Sequence, residues 1–400
     1  MHGVNPQRVA TQVIAGWHQR KAEPTQPPTS RPEPASAQRR PESRDSFEAA
    51  QPRSAQRGNL QAASRDIYTS KTHVTWNPAD VNLADDHNSR SMRHRAYAVK
   101  VAVGAQAESK ALARLSPHQR QQYAAVRASL KDAGSAGDTP AQYALQQMLV
   151  KGRLPGGKTG PFNGNLLDQF ARIAQGKVGP RLDGDKLLAD LVQELHDPSA
   201  INQQRNNTCG ATSASMHLAR HRPAEYARLV ADLALKGKAR LADGSEWRRE
   251  DAAGAARGRS QSQHLLQPVF TEIGNGWRDY NDKNDSHWGL GDWADGLAPG
   301  GVCHVLDRVY ARDFSARGNL ITGVGSNAIS DLKSRTQRGD TPLAVIASGG
   351  PNLHYVMVTG VKREGGTDFV HFTNPWGRDE KMRSSDFHSL LRSYVVDERR

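Results

Sequence analysis

The amino-acid sequence predicts an α+β fold, with helices in the middle of the chain and an antiparallel sheet near its C-terminal end. Helix-starting signals recur between residues 116 and 223, and three short apolar runs follow one another between residues 342 and 373. A block of helices followed by a block of consecutive strands is typical of α+β domains, whereas regular alternation would indicate an α/β fold.

A hydroxyl residue followed by proline marks the start of two predicted helices. Ser116 precedes Pro117, and Thr139 opens the second example. The hydroxyl caps the first N–H groups of a helix, and proline fits the first turn because it has no N–H to leave unpaired. With the spacing of apolar residues, these signals predict helices over 116–132, 139–151, 165–175, 185–196 and 223–235, and a loop entering a helix over 207–221.

Three runs of apolar residues predict strands over 342–347, 354–361 and 368–373. A Glu-Gly-Gly turn at 364–366 separates the last two, which predicts an antiparallel hairpin. Weaker extended signals occur upstream, over 73–76 and 96–103. Residues 236–300 are polar and glycine-rich, with scattered tryptophans, and no helix or strand is predicted there.

Composition divides the chain into three parts. Residues 20–65 are rich in proline, glutamine, serine and arginine and hold almost no large apolar side chains. Such a segment cannot bury enough apolar surface to offset the entropy lost on ordering. We therefore expect a disordered basic leader over 1–65, a mainly helical region over 66–197 and a C-terminal domain over 198–400.

The net charge of +13 favours acidic partners in general, but the basic residues are spread along the chain among acidic ones. No lysine and arginine block and no basic stripe interleaved with aromatics is evident, so the sequence does not favour nucleic-acid binding. No apolar stretch has the length of a membrane span, and the N-terminus lacks the apolar core of a signal peptide. We expect a soluble protein.

One of the two cysteines stands where a thiol would be activated. Cys209 lies where the loop enters the helix predicted over 207–221, and the N–H groups at a helix start lower the pKa of a thiol. Gly210 is expected to let a substrate backbone approach. Gln203, with Gln204 as the competing candidate, is placed to offer an amide N–H to an oxyanion beside the thiol.

A histidine and an asparagine complete the predicted site. His354 opens an apolar strand, which would hold an imidazole on a rigid element. Its interval from Cys209 falls within the roughly 130 to 150 residues seen in papain-type enzymes. Asn374 ends the next strand, where its side-chain oxygen can accept from one ring nitrogen of His354 and fix the tautomer that faces the thiol.

This set resembles the papain-like cysteine peptidase superfamily, and especially the bacteriocin-processing leader peptidase-like domains of bacteria. The residues that carry the resemblance are Gln203, Cys209-Gly210, the His-Tyr-Val at 354–356 and the Asn-Pro-Trp-Gly at 374–377. The resemblance implies a papain-like domain over 198–400, with the cysteine at a helix N-terminus and the histidine and asparagine on an antiparallel sheet. In the bacterial relatives the third residue is commonly aspartate, and Trp376 resembles the tryptophan that shields the Asn–His hydrogen bond.

The implied reaction is thiol-dependent hydrolysis of amide bonds, with Cys209 as nucleophile, His354 as base, Asn374 as orienter, Gln203 as oxyanion donor and no metal or cofactor. A cysteine protease acting on a protein or peptide, as a bacterial effector or toxin, is the main expectation. It would work in the bacterial cytoplasm or be delivered without a cleaved signal peptide, with a delivery apparatus or chaperone binding the leader. The alternatives are an amidase, deamidase or transglutaminase acting on protein or peptidoglycan, and a non-catalytic interaction protein.

Three other patterns are set aside. Residues 152–159 match the phosphate-loop motif, but a helix is predicted before them instead of a buried strand. The acidic cluster over 279–292 lacks the glycine and glutamate positions of a calcium loop. Cys303 and His304 would point to opposite faces of a strand, so Cys303 is expected to be a core residue.

Overall fold

A computed structural model describes residues 87–132, 138–204, 206–249, 258–276, 280, 296–348 and 352–399. Within these residues the architecture is mixed α and β with an antiparallel sheet, as the sequence predicts. The leader predicted over 1–65 and the extended segment predicted over 73–76 lie outside the described residues, as does most of the acidic cluster over 279–292.

The first part of the described chain is helical. Its helices are α1 (His87–Leu112), α2 (Pro117–Asp132), α3 (Asp138–Val150), α4 (Leu166–Gln175) and α5 (Gly184–His196). Helices α2 to α5 confirm the predicted ones to within a few residues. The signal at Ser116 also acts as predicted, because Ser116 Oγ accepts from Gln119 N at 3.2 Å while Gln119 Oε1 accepts from Ser116 N at 3.0 Å.

The prediction of an extended segment over 96–103 is wrong, because these residues belong to α1. The buried positions of this helix, Tyr97, Glu108 and Ala111, recur at helical spacing, whereas Val99 and Val103 are exposed. Gln146 of α3 holds the inner face by donating to the Val101 carbonyl at 3.0 Å and to Glu108 at 2.9 Å. Tertiary packing therefore overrides the extended preference of the valines.

A second set of helices and a small hairpin follow. They are α6 (Cys209–His221), α7 (Pro223–Lys236), β1 (Lys238–Arg240), β2 (Glu246–Arg248), α8 (Gln261–Asn275) and α9 (Pro299–Tyr310). Helices α6 and α7 were predicted, and α8 was not. Cys303 and His304 lie in α9, so the assumption of a strand there is wrong, although Cys303 is buried as expected.

The remaining elements form the main sheet and the helices that cover one of its faces. They are β3 (Phe314–Gly318), α10 (Ala328–Gln337), β4 (Leu343–Ala347), β5 (Leu353–Glu364), β6 (Thr367–Asn374), β7 (Arg378–Arg383), α11 (Ser384–Leu390) and β8 (Leu391–Asp397). The strand order is β3-β8-β4-β5-β6-β7, and every pairing is antiparallel. The three predicted strands correspond to β4, β5 and β6.

Two apolar clusters cover the two faces of this sheet. The larger one extends from Ala111 of α1 to Val395 of β8 and includes residues of α6, α8 and α9. The smaller one joins the opposite face of the sheet to α10 and α11 through Leu332 and Phe387. Strand β5 contributes to both, since Tyr355 and Met357 face the larger cluster and Val356 faces the smaller one. The sheet is thus the middle layer of three.

The phosphate-loop pattern at 152–159 has a structural role. It follows helix α3, and the next helix begins only at Leu166, so neither the preceding strand nor the immediate helix of a phosphate loop is there. Thr159 is buried, and its hydroxyl donates to the Phe162 carbonyl at 2.8 Å. These residues form a closed turn between two helices.

No helix in the part of the chain that the structure describes combines the length and apolar character needed to cross a membrane. Within the same residues, no group of histidine, cysteine, aspartate and glutamate side chains is arranged to hold a metal ion.

Candidate active site

Cys209 is the first residue of α6 and is half-buried. The residue before it, Thr208, does not cap the helix with its side chain; its hydroxyl donates to Gln267 Oε1 of α8 at 2.7 Å. The first N–H groups of α6 are therefore not occupied by that hydroxyl, and their partial positive charge favours a thiolate at the helix start. The predicted position of the cysteine at a helix N-terminus is confirmed.

Gly210 lets helix α6 approach the sheet closely. A Cβ at this position would lie 2.9 Å from Leu297 Cβ, 3.1 Å from a Val302 methyl and 3.4 Å from the ring of Tyr355. The expectation that Gly210 leaves room for a substrate backbone is therefore wrong, because protein atoms fill this space. Since Tyr355 follows His354 in β5, the glycine docks the first turn of α6 onto the strand that carries the predicted base.

His354 is oriented by the two residues predicted to hold it. Its Nε2 lies 3.0 Å from Asn374 Oδ1. An amide oxygen can only accept, so this contact places a proton on Nε2 and leaves the lone pair on Nδ1, the tautomer that a general base requires. Trp376 stacks on the imidazole, with ring centroids 4.4 Å apart and planes 23° apart. His354 is 6% exposed, so the hydrogen bond is shielded from water.

Asn374 makes two further hydrogen bonds. Its Oδ1 accepts from the Trp376 backbone N–H at 3.1 Å, and its Nδ2 donates to Glu380 Oε1 at 3.2 Å. Sequence reasoning missed Glu380. The available signal was a turn after Asn374 followed by a polar strand, which places the side chains of β7 beside those of β6.

Gln203 lies beside the Asn-Pro-Trp segment. Its backbone N–H donates to the Pro375 carbonyl at 2.8 Å, and Asn202 Nδ2 donates to the Trp376 carbonyl at 3.0 Å. The Gln203 side chain is buried, and one N–H of its amide donates to the Asn206 carbonyl at 2.8 Å. A primary amide carries a second N–H, so this bond does not use its full donor capacity.

Gln204, the competing candidate, has a different environment. Its backbone is in the left-handed region with φ 56°. Its side chain lies 3.5 Å from the point where a Cβ on Gly258 would be. It also lines a cavity of about 310 Å³ together with Asp190 and Arg259. The contacts that join the glutamine loop to the Asn-Pro-Trp segment are made by Asn202 and Gln203, whereas the Gln204 side chain lies toward this cavity.

A buried polar network from α8 supports the loop before Cys209. Gln267 accepts from Thr208 Oγ1 and donates to the Asn202 carbonyl at 3.2 Å. It also donates to Gln263 at 3.0 Å, which in turn donates to the carboxylate of Glu194 at 3.3 Å. Burial raises the pKa of Glu194, although four hydrogen-bond donors oppose the shift. Gln267, Gln263 and Glu194 lie in segments where no functional residue was predicted.

Cys303, which was set aside above, and His371, which lies on the same strand as Asn374, have other environments. Cys303 is 7% exposed, and burial, reinforced by Asp307, raises the pKa of its thiol to about 12. His371 bonds to Glu364 at 2.9 Å, at the far end of the β5 and β6 hairpin from Asn374. Neither side chain has a role in the candidate site.

No protein-family model matches this chain, and no curated protein matches it. An activity is therefore argued from Cys209 at a helix start and from the hydrogen bond between His354 and Asn374.

Proposed function

We propose that the protein is a cysteine hydrolase of the papain-like type, with its catalytic domain over 198–400. The observation that carries the proposal is the His354–Asn374 hydrogen bond of 3.0 Å under the Trp376 ring. This bond lies on the strand against which the first turn of α6 packs. A histidine base with a fixed tautomer and a cysteine at a helix start are the two groups that nucleophilic thiol catalysis needs, and the proposal requires that they meet in the folded protein.

The reaction proceeds through a thioester. His354 takes the proton of Cys209 Sγ, and the thiolate forms a bond to the carbonyl carbon of an amide. The negative charge moves to the carbonyl oxygen, where the Cys209 backbone N–H and the second N–H of Gln203 stabilise it. The imidazolium then donates its proton to the leaving amine as the C–N bond breaks. A water molecule, deprotonated by His354, hydrolyses the thioester and releases the acid and the thiol.

Hydrolysis is a simpler reaction for this site than transglutamination, because water serves as the acceptor and no second substrate has to be held, and a peptide bond is the amide that we expect it to cleave. The test is to incubate the full chain with a cell proteome and, separately, with purified peptidoglycan, and to identify new termini by mass spectrometry. A Cys209→Ala variant is the negative control, and Cys303→Ser is the matched cysteine control. New termini that form equally with Cys209→Ala would contradict the proposal.

A further inference from the structure

The amide of Asn374 has a defined partner at each end. Its oxygen accepts from His354 Nε2 at 3.0 Å and from the Trp376 N–H at 3.1 Å, while its nitrogen donates to Glu380 Oε1 at 3.2 Å. The two ends of a primary amide have nearly the same shape, so only hydrogen-bond partners decide which end faces the histidine. Glu380 can only accept, and this fixes the nitrogen on its side.

The position of Glu380 follows from the ribbon formed by β6 and β7. Asn374 is the register partner of Arg378, and Phe372 is the partner of Glu380, so Glu380 is the diagonal neighbour of Asn374. Arg378 Nε donates to the same Oε1 at 2.5 Å and holds the carboxylate in place. The adjacent Asp379 instead accepts from Thr373 at 2.6 Å, because neighbouring residues of a strand point to opposite faces.

We propose that Glu380 is a positioning residue for the reaction, acting through Asn374, and that it makes asparagine the required orienter in this chain. The inference rests on the function proposed above. An asparagine rotated by half a turn would place its N–H groups against the Nε2 proton of His354 and its oxygen against Glu380. An aspartate at position 374 would place a second carboxylate about 3 Å from Glu380 Oε1, where like charges repel.

The first test compares two carboxylates of the same sheet. In a Cys303→Ser background, the rate of alkylation of Cys209 by iodoacetamide is measured from pH 5 to 9 for Glu380→Ala, Glu380→Gln and Glu364→Ala. We expect Glu380→Ala to lower the rate at pH 6 about tenfold, the loss expected for one charge-assisted hydrogen bond. Glu380→Gln keeps an acceptor oxygen and should stay within about threefold. Glu364 bonds to His371 and Lys381, away from Asn374, so Glu364→Ala should leave the rate unchanged.

The second test exchanges the amide and the carboxylate between positions 374 and 380. Asn374→Asp alone should lower the alkylation rate about 100-fold, because the new carboxylate faces Glu380. Adding Glu380→Gln to this variant should raise its alkylation rate about tenfold, since the glutamine amide can donate to a carboxylate. The two single variants and the double variant form a cycle whose coupling a general loss of stability would not produce, and thermal unfolding of each variant is recorded beside it.

The outcomes separate this inference from the proposed function. A wild-type Cys209 that reacts no faster than glutathione at pH 6 would overturn the cysteine hydrolase proposal and this inference with it. A reactive Cys209 with no coupling between positions 374 and 380 would overturn the role of Glu380 alone. A tenfold lower alkylation rate in Glu380→Ala, together with a recovered rate in the Asn374→Asp, Glu380→Gln double variant, would establish that role.

Discussion

The two cysteines of the chain lie in neighbouring helices, yet their environments are opposite. Cys209 is the first residue of α6 and is half-buried, whereas Cys303 lies inside α9 and is almost fully buried. Both cysteines act electrostatically on Tyr355 of β5. Burial raises the pKa of the Tyr355 hydroxyl, and the charges of Cys209 and Cys303 raise it further. A cysteine at the first position of a helix lies at the partial positive charge of the helix start, whereas a cysteine inside a helix does not.

Replacing the two cysteines in turn should give the largest difference in probe labelling and in hydrolysis. Cys209→Ala should abolish labelling by a vinyl-sulfone probe and any hydrolysis, because no other described thiol lies at a helix start. Cys303→Ser should keep both, since the pKa of Cys303 is raised to about 12 and its thiol stays protonated at neutral pH. Labelling is measured by intact-protein mass spectrometry. Probe addition at Cys303 in the Cys209→Ala variant would break the comparison.

Gln203→Ala should produce the next largest effect. Loss of one oxyanion donor lowers the rate by roughly 10² to 10³, so kcat should fall by that factor with little change in KM. Gln204→Ala is the matched control, because its side chain packs against Gly258 and lines a cavity with Asp190 and Arg259. Steady-state kinetics on a substrate found in the terminus screen would measure both. Equal losses in the two variants would remove Gln203 from the site.

Gly210 and Gly300, each the second residue of a helix that carries a cysteine, allow a stability test. Gly210→Ala would bring a methyl group to 2.9 Å from Leu297 and 3.1 Å from Val302, so it should destabilise the fold by about 1–3 kcal/mol. Gly300→Ala, in the first turn of α9, meets no atom within 4 Å and should be neutral or stabilising by up to about 1 kcal/mol. Urea unfolding monitored by circular dichroism distinguishes the two, and an unaffected Gly210→Ala would show that α6 is not tightly docked on β5.

Lys158→Ala should have the smallest effect. The phosphate-loop pattern around it lacks the preceding strand and the immediate helix, so the lysine has no phosphate to hold. Hydrolysis by the variant and its thermal unfolding should match those of the wild type within experimental error. Saturable ATP binding to the wild type that disappears in Lys158→Ala, measured by calorimetry, would contradict this expectation.

Local signals allowed much of the fold to be predicted. The Ser116 and Gln119 capping pair, the prolines at helix starts and the Glu-Gly-Gly turn each act within a few residues, so the sequence displays them directly. Helix α8 was missed because Pro268 lies inside it, although Ser260 caps its first turn and Leu265, Leu266 and Val269 repeat at helical spacing. The extended reading of 96–103 failed because packing against α3 decided the conformation.

The candidate site was predictable where residue type alone limits the chemistry. Cysteine at a helix start, histidine on a strand and asparagine at the next strand end are rare enough together to be recognised. Glu380 and Gln267 were not predictable in this way, because a glutamate on a polar strand and a glutamine within a helix are common residues. Their importance comes from the neighbours that sheet register and helix packing give them.

The order of the sheet has a consequence for synthesis of the protein. Strand β8 follows all the other strands along the chain, yet it lies between β3 and β4. While a ribosome is still short of residue 391, β3 has no partner among the other strands of this sheet and one edge of β4 stays unpaired. Contacts that close such long loops also form slowly. The nascent chain thus carries the predicted nucleophile and base before their scaffold is complete, which would delay hydrolysis until β8 has been translated.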